Sequence, residues 1–339
     1  ILQRMFEENF ISRAQMLEAQ AQPNTAKRHA QHVELNAPYF AEMVRQEMVR
    51  RYGEAATISG FKVITTIVSK DQIAANAAVR DGLIEYDRRH GWRGAEKHID
   101  LTQLDLSQQI TELKNRPYIE QMPAALVLTT NNSSAELLLS NGEIIKIGSA
   151  AAISTGKSLS SAIKAGDIVR LLGTGKTTVL AQIPKAQAAL VSLQPEDGAV
   201  RAIVGGFSFS TSKFNRASMA KRQPGSSFKP FLYTASFDRG YSPSSIVLDA
   251  PVVFRDRKGN VWRPQNDRGG FKGPMKLREA LVQSRNLVSV RLLDGIGVKY
   301  AINFISNFGF EKSSLPPNLS MSLGTASLTP MSVARGYTV

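Results

Sequence analysis

The sequence predicts a multidomain α+β chain with a small all-β module near its middle. Three textures predict it. Helical periodicity runs to about residue 52. Short apolar runs broken by Asn-, Ser- and Gly-rich turns fill 123–184. A hairpin followed by long helical runs begins near 186. At 339 residues the chain is long enough to bury a large core and to divide into two or three domains.

In the first stretch, Ile11, Met16 and Leu17 sit among polar residues. Pro38 opens a second helical run carrying Phe40, Met43, Val44 and Met48, and Gly53 is placed to cap its end. Residues 61–68 are β-branched and predict a strand, with Ser69 or Asp71 capping a helix that continues to about Tyr86. Residues 90–100 predict a loop holding Trp92. The all-β module is expected from runs at 125–128, 136–139, 144–147, 168–171 and 178–183, with Asn141-Gly142 as a turn, and suggests a small barrel or similar sheet. Runs at 188–193 and 199–204 around Pro195-Glu196-Asp197-Gly198 predict a hairpin. A helix is expected from Ser226 to about Arg239, and mainly helices over 277–310.

Bulk properties exclude some chemistry and leave the rest open. With no cysteine, neither a disulfide nor a thiolate zinc site is available. No apolar run approaches the length of a membrane span, and the first residues do not resemble a signal peptide. The chain starts on Ile1 rather than methionine and stops inside a helix-like pattern at 331–339, so both ends are expected to be cut. The net charge of +14 is uneven: residues 1–110 balance, 111–185 carry +3 and 186–339 carry +11. Such a field attracts an anionic partner, and a solvated basic face explains it equally well. No stacking pattern or helix-turn-helix signature accompanies it, so nucleic acid is not expected as a partner.

A nucleophilic serine needs a base, and a lysine three residues on along a helix lies on the same face. Ser-x-x-Lys recurs along the chain, as at Ser154/Lys157, Ser161/Lys164, Ser210/Lys213, Ser218/Lys221 and Ser226/Lys229. Only Ser226 follows Pro-Gly at an expected helix start, with Phe228, Phe231 and Leu232 to bury the stem of Lys229. Burial matters because it brings a lysine pKa down from ~10.4 toward ~7–8, where the amine is a usable base. A helix start also presents N–H groups to a developing oxyanion.

Ser284-Arg285-Asn286 is the single Ser-x-Asn of the chain. Its serine fits a proton relay between Lys229 and a leaving amine, and the Asn286 amide fits contacts to a substrate carbonyl and to the lysine. Taken alone, the same residues also fit a turn cap and a helix-surface hydroxyl. The four histidines, His29, His32, His90 and His98, all precede residue 99 away from any Gly-x-Ser-x-Gly elbow, so a Ser-His-Asp triad and a histidine metal site are disfavoured. They read as surface or interface residues. Gly173-Thr-Gly-Lys176-Thr-Thr lacks the first Walker glycine (Arg170 stands there) and precedes a strand. Gly156-Lys157-Ser158 fails likewise, with Ala151 in that place, so no ATP site is expected.

Ser-x-x-Lys followed by Ser-x-Asn resembles the first two motifs of penicillin-binding proteins and serine β-lactamases. Ala189 to Gly206 resembles the opening hairpin of a class A transpeptidase domain. Phe214-Asn-Arg-Ala217, Arg222-Gln-Pro-Gly-Ser-Ser-Phe-Lys-Pro-Phe-Leu-Tyr233 and Leu323-Gly-Thr-Ala-Ser-Leu-Thr-Pro330 extend the likeness. Residues 39–52 and 61–68 resemble the joint between the glycosyltransferase and transpeptidase halves, and the β-module resembles the OB-like insertion of type 1a members.

The resemblance implies four segments: 1–23 as the last helices of a glycosyltransferase-like domain, 24–114 as linker and transpeptidase-associated segment, 115–185 as the OB-like module, and 186–339 as the first part of a transpeptidase domain of the penicillin-binding/serine β-lactamase-like fold. It implies a D,D-transpeptidase on the periplasmic side of the bacterial inner membrane, anchored by an N-terminal helix that this sequence lacks. Its partners would be peptidoglycan stem peptides, glycan strands and β-lactam antibiotics, with no cofactor and no metal. In that reading Ser226 is the nucleophile, Lys229 its base, Ser284 the relay and Asn286 the substrate contact. The family's Lys-Thr/Ser-Gly motif is missing, since Lys176-Thr177 lies upstream of Ser226 and continues with Thr178. An inactive fragment is thus also expected to be possible. A hydrolytic β-lactamase or D,D-carboxypeptidase, and a non-catalytic peptidoglycan- or β-lactam-binding scaffold, stay open as alternatives.

Overall fold

The computed structural model describes residues 1–22, 33–255, 259, 261–267 and 269–339. His29, His32 and the expected boundary at residues 23–24 lie outside them. The chain divides into two units, Ile1–Asn36 and Ala37–Val339. The first holds helices Leu2–Glu7 and Arg13–Ala21. The second of these starts in a capping box, with Ser12 and Gln15 exchanging side-chain and backbone hydrogen bonds.

The larger unit begins with helix Pro38–Tyr52, which Gly53 ends as expected, at φ +59. Residues 61–68 correct the sequence reading, because they form no strand. Their contact with the strand Val200–Val204 is the Val68 N–H donating to Arg201 O (2.9 Å) and the Thr66 hydroxyl donating to Val200 O (2.8 Å). β-Branching favours extended backbone, but a ladder needs a partner along its whole length. The helix Ser69–Arg89 follows without a side-chain cap from Ser69 or Asp71. Asp71 instead pairs with Arg201 at 2.7 Å.

That helix buries Gln72, Ala75, Val79 and Leu83 on one stripe against Ala202 and Val204. The Gln72 amide pairs with both backbone groups of Ile203, accepting from N–H at 2.9 Å and donating to O at 3.1 Å. The expected hairpin is there as Leu190–Leu193 and Val200–Val204, antiparallel, with Val191 opposite Ile203.

The all-β module is a six-stranded antiparallel sheet: β1 (Lys97–His98), β2 (Ala124–Thr130), β3 (Ser134–Leu139), β4 (Ile144–Gly148), β5 (Asp167–Leu172) and β6 (Val179–Ala181), in the order β1-β5-β2-β3-β4 with β6 also on β5. Gly142, at φ +87, turns β3 into β4. Both faces of the sheet are covered. Ala125, Val127, Leu137 and Val169 face one cluster, and Leu126, Leu138 and Ile168 face another that includes Leu113 of the helix Leu106–Lys114. Two-sided burial is why these strands read as unbroken apolar runs instead of alternating ones. Two elements of this core, β1 and Leu106–Lys114, lie before residue 115. Arg170 of β5 is 1% exposed, clamping Glu96 at 2.7 and 3.2 Å and donating to Pro117 O and Met122 O. Trp92 packs on the first cluster and donates from its indole N–H to Ala162 O at 3.1 Å.

The last part is helical around Lys229–Asp238, Asn286–Ile296 and Val298–Ile305, whose apolar faces meet in one core with Phe228, Phe310, Leu315 and Met321. Two short hairpin-like pairs flank it: Ile246–Asp249 with Gly273–Lys276, and Phe254–Arg255 with Val261–Trp262, where the Trp262 ring lies 5.8 Å from Phe254. Among the described residues no helix is long and apolar enough to cross a membrane.

Candidate active site

Ser226 does not open an α-helix, as the sequence reading had it. It sits in a 3-10 turn, Gly225–Phe228, and the α-helix starts at Lys229. Proline explains the shift. Pro230 has no N–H to return to Ser226 O, so the Lys229 N–H closes a tighter turn on that carbonyl. The turn is strapped from behind by the segment at 324–328. Gly225 N–H donates to Gly324 O (3.2 Å), and Arg222 and Leu328 exchange backbone bonds at 2.9 and 3.0 Å.

Gly324 is at φ +73, and a Cβ there would stand 2.0 Å from Gly225 O. Gly324→Ala is therefore expected to displace the Ser226 turn. Strain at a positive φ costs about 1–3 kcal/mol, and misplacement by an ångström slows reaction about 100-fold. An unchanged melting temperature together with an unchanged rate of β-lactam acylation would contradict it.

Of these Ser-x-x-Lys lysines, Lys229 alone is buried, at 1% exposure. Lys157, Lys164, Lys213 and Lys221 are exposed. Its ammonium makes three hydrogen bonds: to Ser284 O (2.8 Å), Ser284 Oγ (3.0 Å) and Asn286 Oδ1 (2.7 Å). Ser284 Oγ in turn donates to Ser226 Oγ at 3.0 Å. The lysine thus reaches the exposed Ser226 hydroxyl through Ser284, and all four expected residues meet at one place. Burial pulls the Lys229 pKa down to about 8, against the pull of Asp267 and with help from the Arg285 cation.

Ser284 lies between helices Leu277–Val282 and Asn286–Ile296 with φ +52, a left-handed conformation uncommon outside glycine. This aims both its carbonyl and its hydroxyl at the lysine. Asn286 is the first residue of its helix and caps no turn. Its amide N–H groups already bond Gln265 O (2.9 Å) and Asp267 Oδ1 (3.1 Å). A substrate carbonyl would therefore have to displace one of them.

Sequence reasoning missed the supports of this site: Asp249, Asn266, Asp267 and the side chain of Arg285. One signal was available, since a lone carboxylate ending the apolar run Ile246-Val-Leu-Asp249 marks a buried charge that needs a partner. His90 and His98 bond Tyr86 O and Asp167, on exposed surface far along the chain from these groups. After Gly173–Lys176 comes strand β6, as read. Among the described residues no cluster of potential metal ligands occurs.

The chain matches two family models, the penicillin-binding protein OB-like domain over residues 92–186 and the penicillin binding protein transpeptidase domain over 188–337. Over its full length it is 45% identical to penicillin-binding protein 1A of Pseudomonas aeruginosa and 38% identical to that of Escherichia coli K12, covering 43% and 42% of those proteins. A crystal structure of penicillin-binding protein 1A from Haemophilus influenzae superimposes with a TM-score of 0.89 at 38% identity, covering 100% of this chain and 50% of that one. The chain thus spans less than half the length of these curated relatives. It belongs to the penicillin-binding protein family and carries that family's OB-like and transpeptidase domains.

Proposed function

We propose that this chain supplies the acylating centre of a D,D-transpeptidase that cross-links peptidoglycan stem peptides. The observation that carries the reading is the hydrogen-bonded series Lys229–Ser284–Ser226, ending on a buried lysine. With Lys229 protonated, in the resting state, donation runs outward from Nζ to Ser284 Oγ and from Ser284 Oγ to Ser226 Oγ. Once Lys229 is neutral the series reverses. The Ser226 proton passes to Ser284 as the Ser284 proton passes to the amine, and Ser226 Oγ attacks the penultimate D-Ala carbonyl. The relayed proton leaves on the terminal D-Ala amine as the peptide bond breaks, giving an acyl ester on Ser226. The amine of a neighbouring strand then takes the acyl group. A β-lactam would open its ring amide on the same serine and stay attached. The +11 of residues 186–339 suits a donor with a terminal carboxylate.

The whole protein, in this reading, also polymerises glycan strands through a glycosyltransferase domain. It works on the periplasmic side of the bacterial inner membrane, held there by an N-terminal helix. The supports are the length of the relatives and the site of the substrate. The test is to treat the full-length protein with labelled penicillin and map the adduct by peptide mass spectrometry. A stable adduct on Ser226 is expected. No adduct, or one elsewhere, favours a non-catalytic scaffold, and rapid release of opened drug favours a hydrolase.

A further inference from the structure

The two residues that follow Ser284, Arg285 and Asn286, are held by one carboxylate that the reaction does not touch. Asp249, at the end of the strand Ile246–Asp249, is 0% exposed. Its Oδ2 accepts from Arg285 Nε at 2.8 Å, lies 2.6 Å from Arg285 Nη2, and accepts the Lys272 N–H at 3.0 Å. Its Oδ1 accepts from Asn266 Nδ2 at 2.9 Å, and Asn266 Oδ1 accepts the Asn286 N–H at 2.9 Å. Arg285 Nη2 also donates to Gly270 O at 2.7 Å. The residue before the Asn286 backbone and the residue after Ser284 are one and the same, so the triplet is pinned from its middle and from its end.

We propose that Asp249 and Arg285 are positioning residues, whose buried ion pair holds Ser284 in the left-handed conformation that bridges Lys229 and Ser226. A strained φ persists where the surroundings over-determine it. A buried ion pair is itself a poor source of stability, because desolvating both charges offsets their attraction. Its use here is orientation. Burial raises the Asp249 pKa, but the bonds from Asn266, Arg285 and the Lys272 N–H outweigh it and keep the carboxylate ionised. The charges acting on Lys229 are Asp267, which favours its protonated form, and Arg285, which opposes it. Arg285 therefore touches both the geometry and the basicity of the centre. The inference rests on the acyl-enzyme reading above.

The experiment follows the first-order rate constant of labelled-penicillin acylation against pH in the full-length protein, beside thermal melts. That constant does not change when folded molecules are merely lost. Arg285→Lys keeps the charge and loses the planar fork, so acylation about 100-fold slower with an unmoved pH midpoint is expected. Should that variant not fold, the charge-neutral double variant Asp249→Asn/Arg285→Gln serves. It is expected to be equally slow, with the midpoint moved to higher pH because a cation beside Lys229 is gone. A wild-type rate constant in whichever of the two folds overturns the inference. Failure of the unmutated protein to acylate Ser226 overturns the acyl-enzyme reading, and this inference with it.

Discussion

Ser226→Ala is expected to abolish covalent labelling by penicillin while leaving the melting temperature where it was. The Ser226 side chain is exposed, and among the described residues its hydroxyl bonds only Ser284 Oγ. Surface substitutions of this kind change stability by about 0.5 kcal/mol or less. Labelling through Ser284 is not expected, because its hydroxyl is half-buried where that of Ser226 is exposed, and its backbone is held at φ +52. Gel fluorography with a fluorescent penicillin, at equal folded protein, reads the result. Labelling of the alanine variant at the wild-type level would remove Ser226 from the mechanism.

Lys229→Met is the second large effect. Methionine fills nearly the same volume without a charge, and each buried acceptor left without its donor costs about 1–3 kcal/mol, so rates are compared at equal folded protein. The acceptors Ser284 O, Ser284 Oγ and Asn286 Oδ1 lose their donor, and Ser226 loses its route to a base. Acylation is expected to fall by about 10²–10⁴-fold, the usual contribution of a general base. The sign of the pH dependence follows from the depressed pKa. Neutral amine is the reactive form, so the wild-type rate rises with pH, reaches half its plateau at about 8 and is flat above. At pH 7 roughly a tenth of the lysines are neutral. Lys229→Met should lose this limb. A stopped-flow pH profile checks both statements, and a variant that keeps the limb or reacts at the wild-type rate contradicts the assignment.

The residues of the candidate site were legible because their spacing is local: Ser226 and Lys229 lie one turn apart, and Ser-x-Asn occurs once. The strands of the central module were legible because each is a short apolar run between turn residues, and the Asn141-Gly142 turn fell where the chemistry of glycine put it. Residues 61–68 were misread because composition reports extended backbone and says nothing of whether a neighbour will pair with it. The 3-10 start at Ser226 followed from Pro230, whose missing N–H acts four residues upstream. The Asp249–Arg285 pair escaped since its members are 36 positions apart, and the apolar run before Asp249 marks the charge without naming its partner. The occupied amide of Asn286 was equally hidden, as its partners come from the 265–267 segment.

The chain has two tryptophans, and they stand in different domains. Trp92 is set into the OB-like sheet through its bond to Ala162 O, and Trp262 leans on Phe254 in the transpeptidase part. Intrinsic fluorescence therefore samples both domains at once. Loss of packing around the sheet alters one emitter, and rearrangement around Phe254 alters the other. Removing one tryptophan at a time, Trp92→Phe or Trp262→Phe, assigns the melting of each half without attaching a dye.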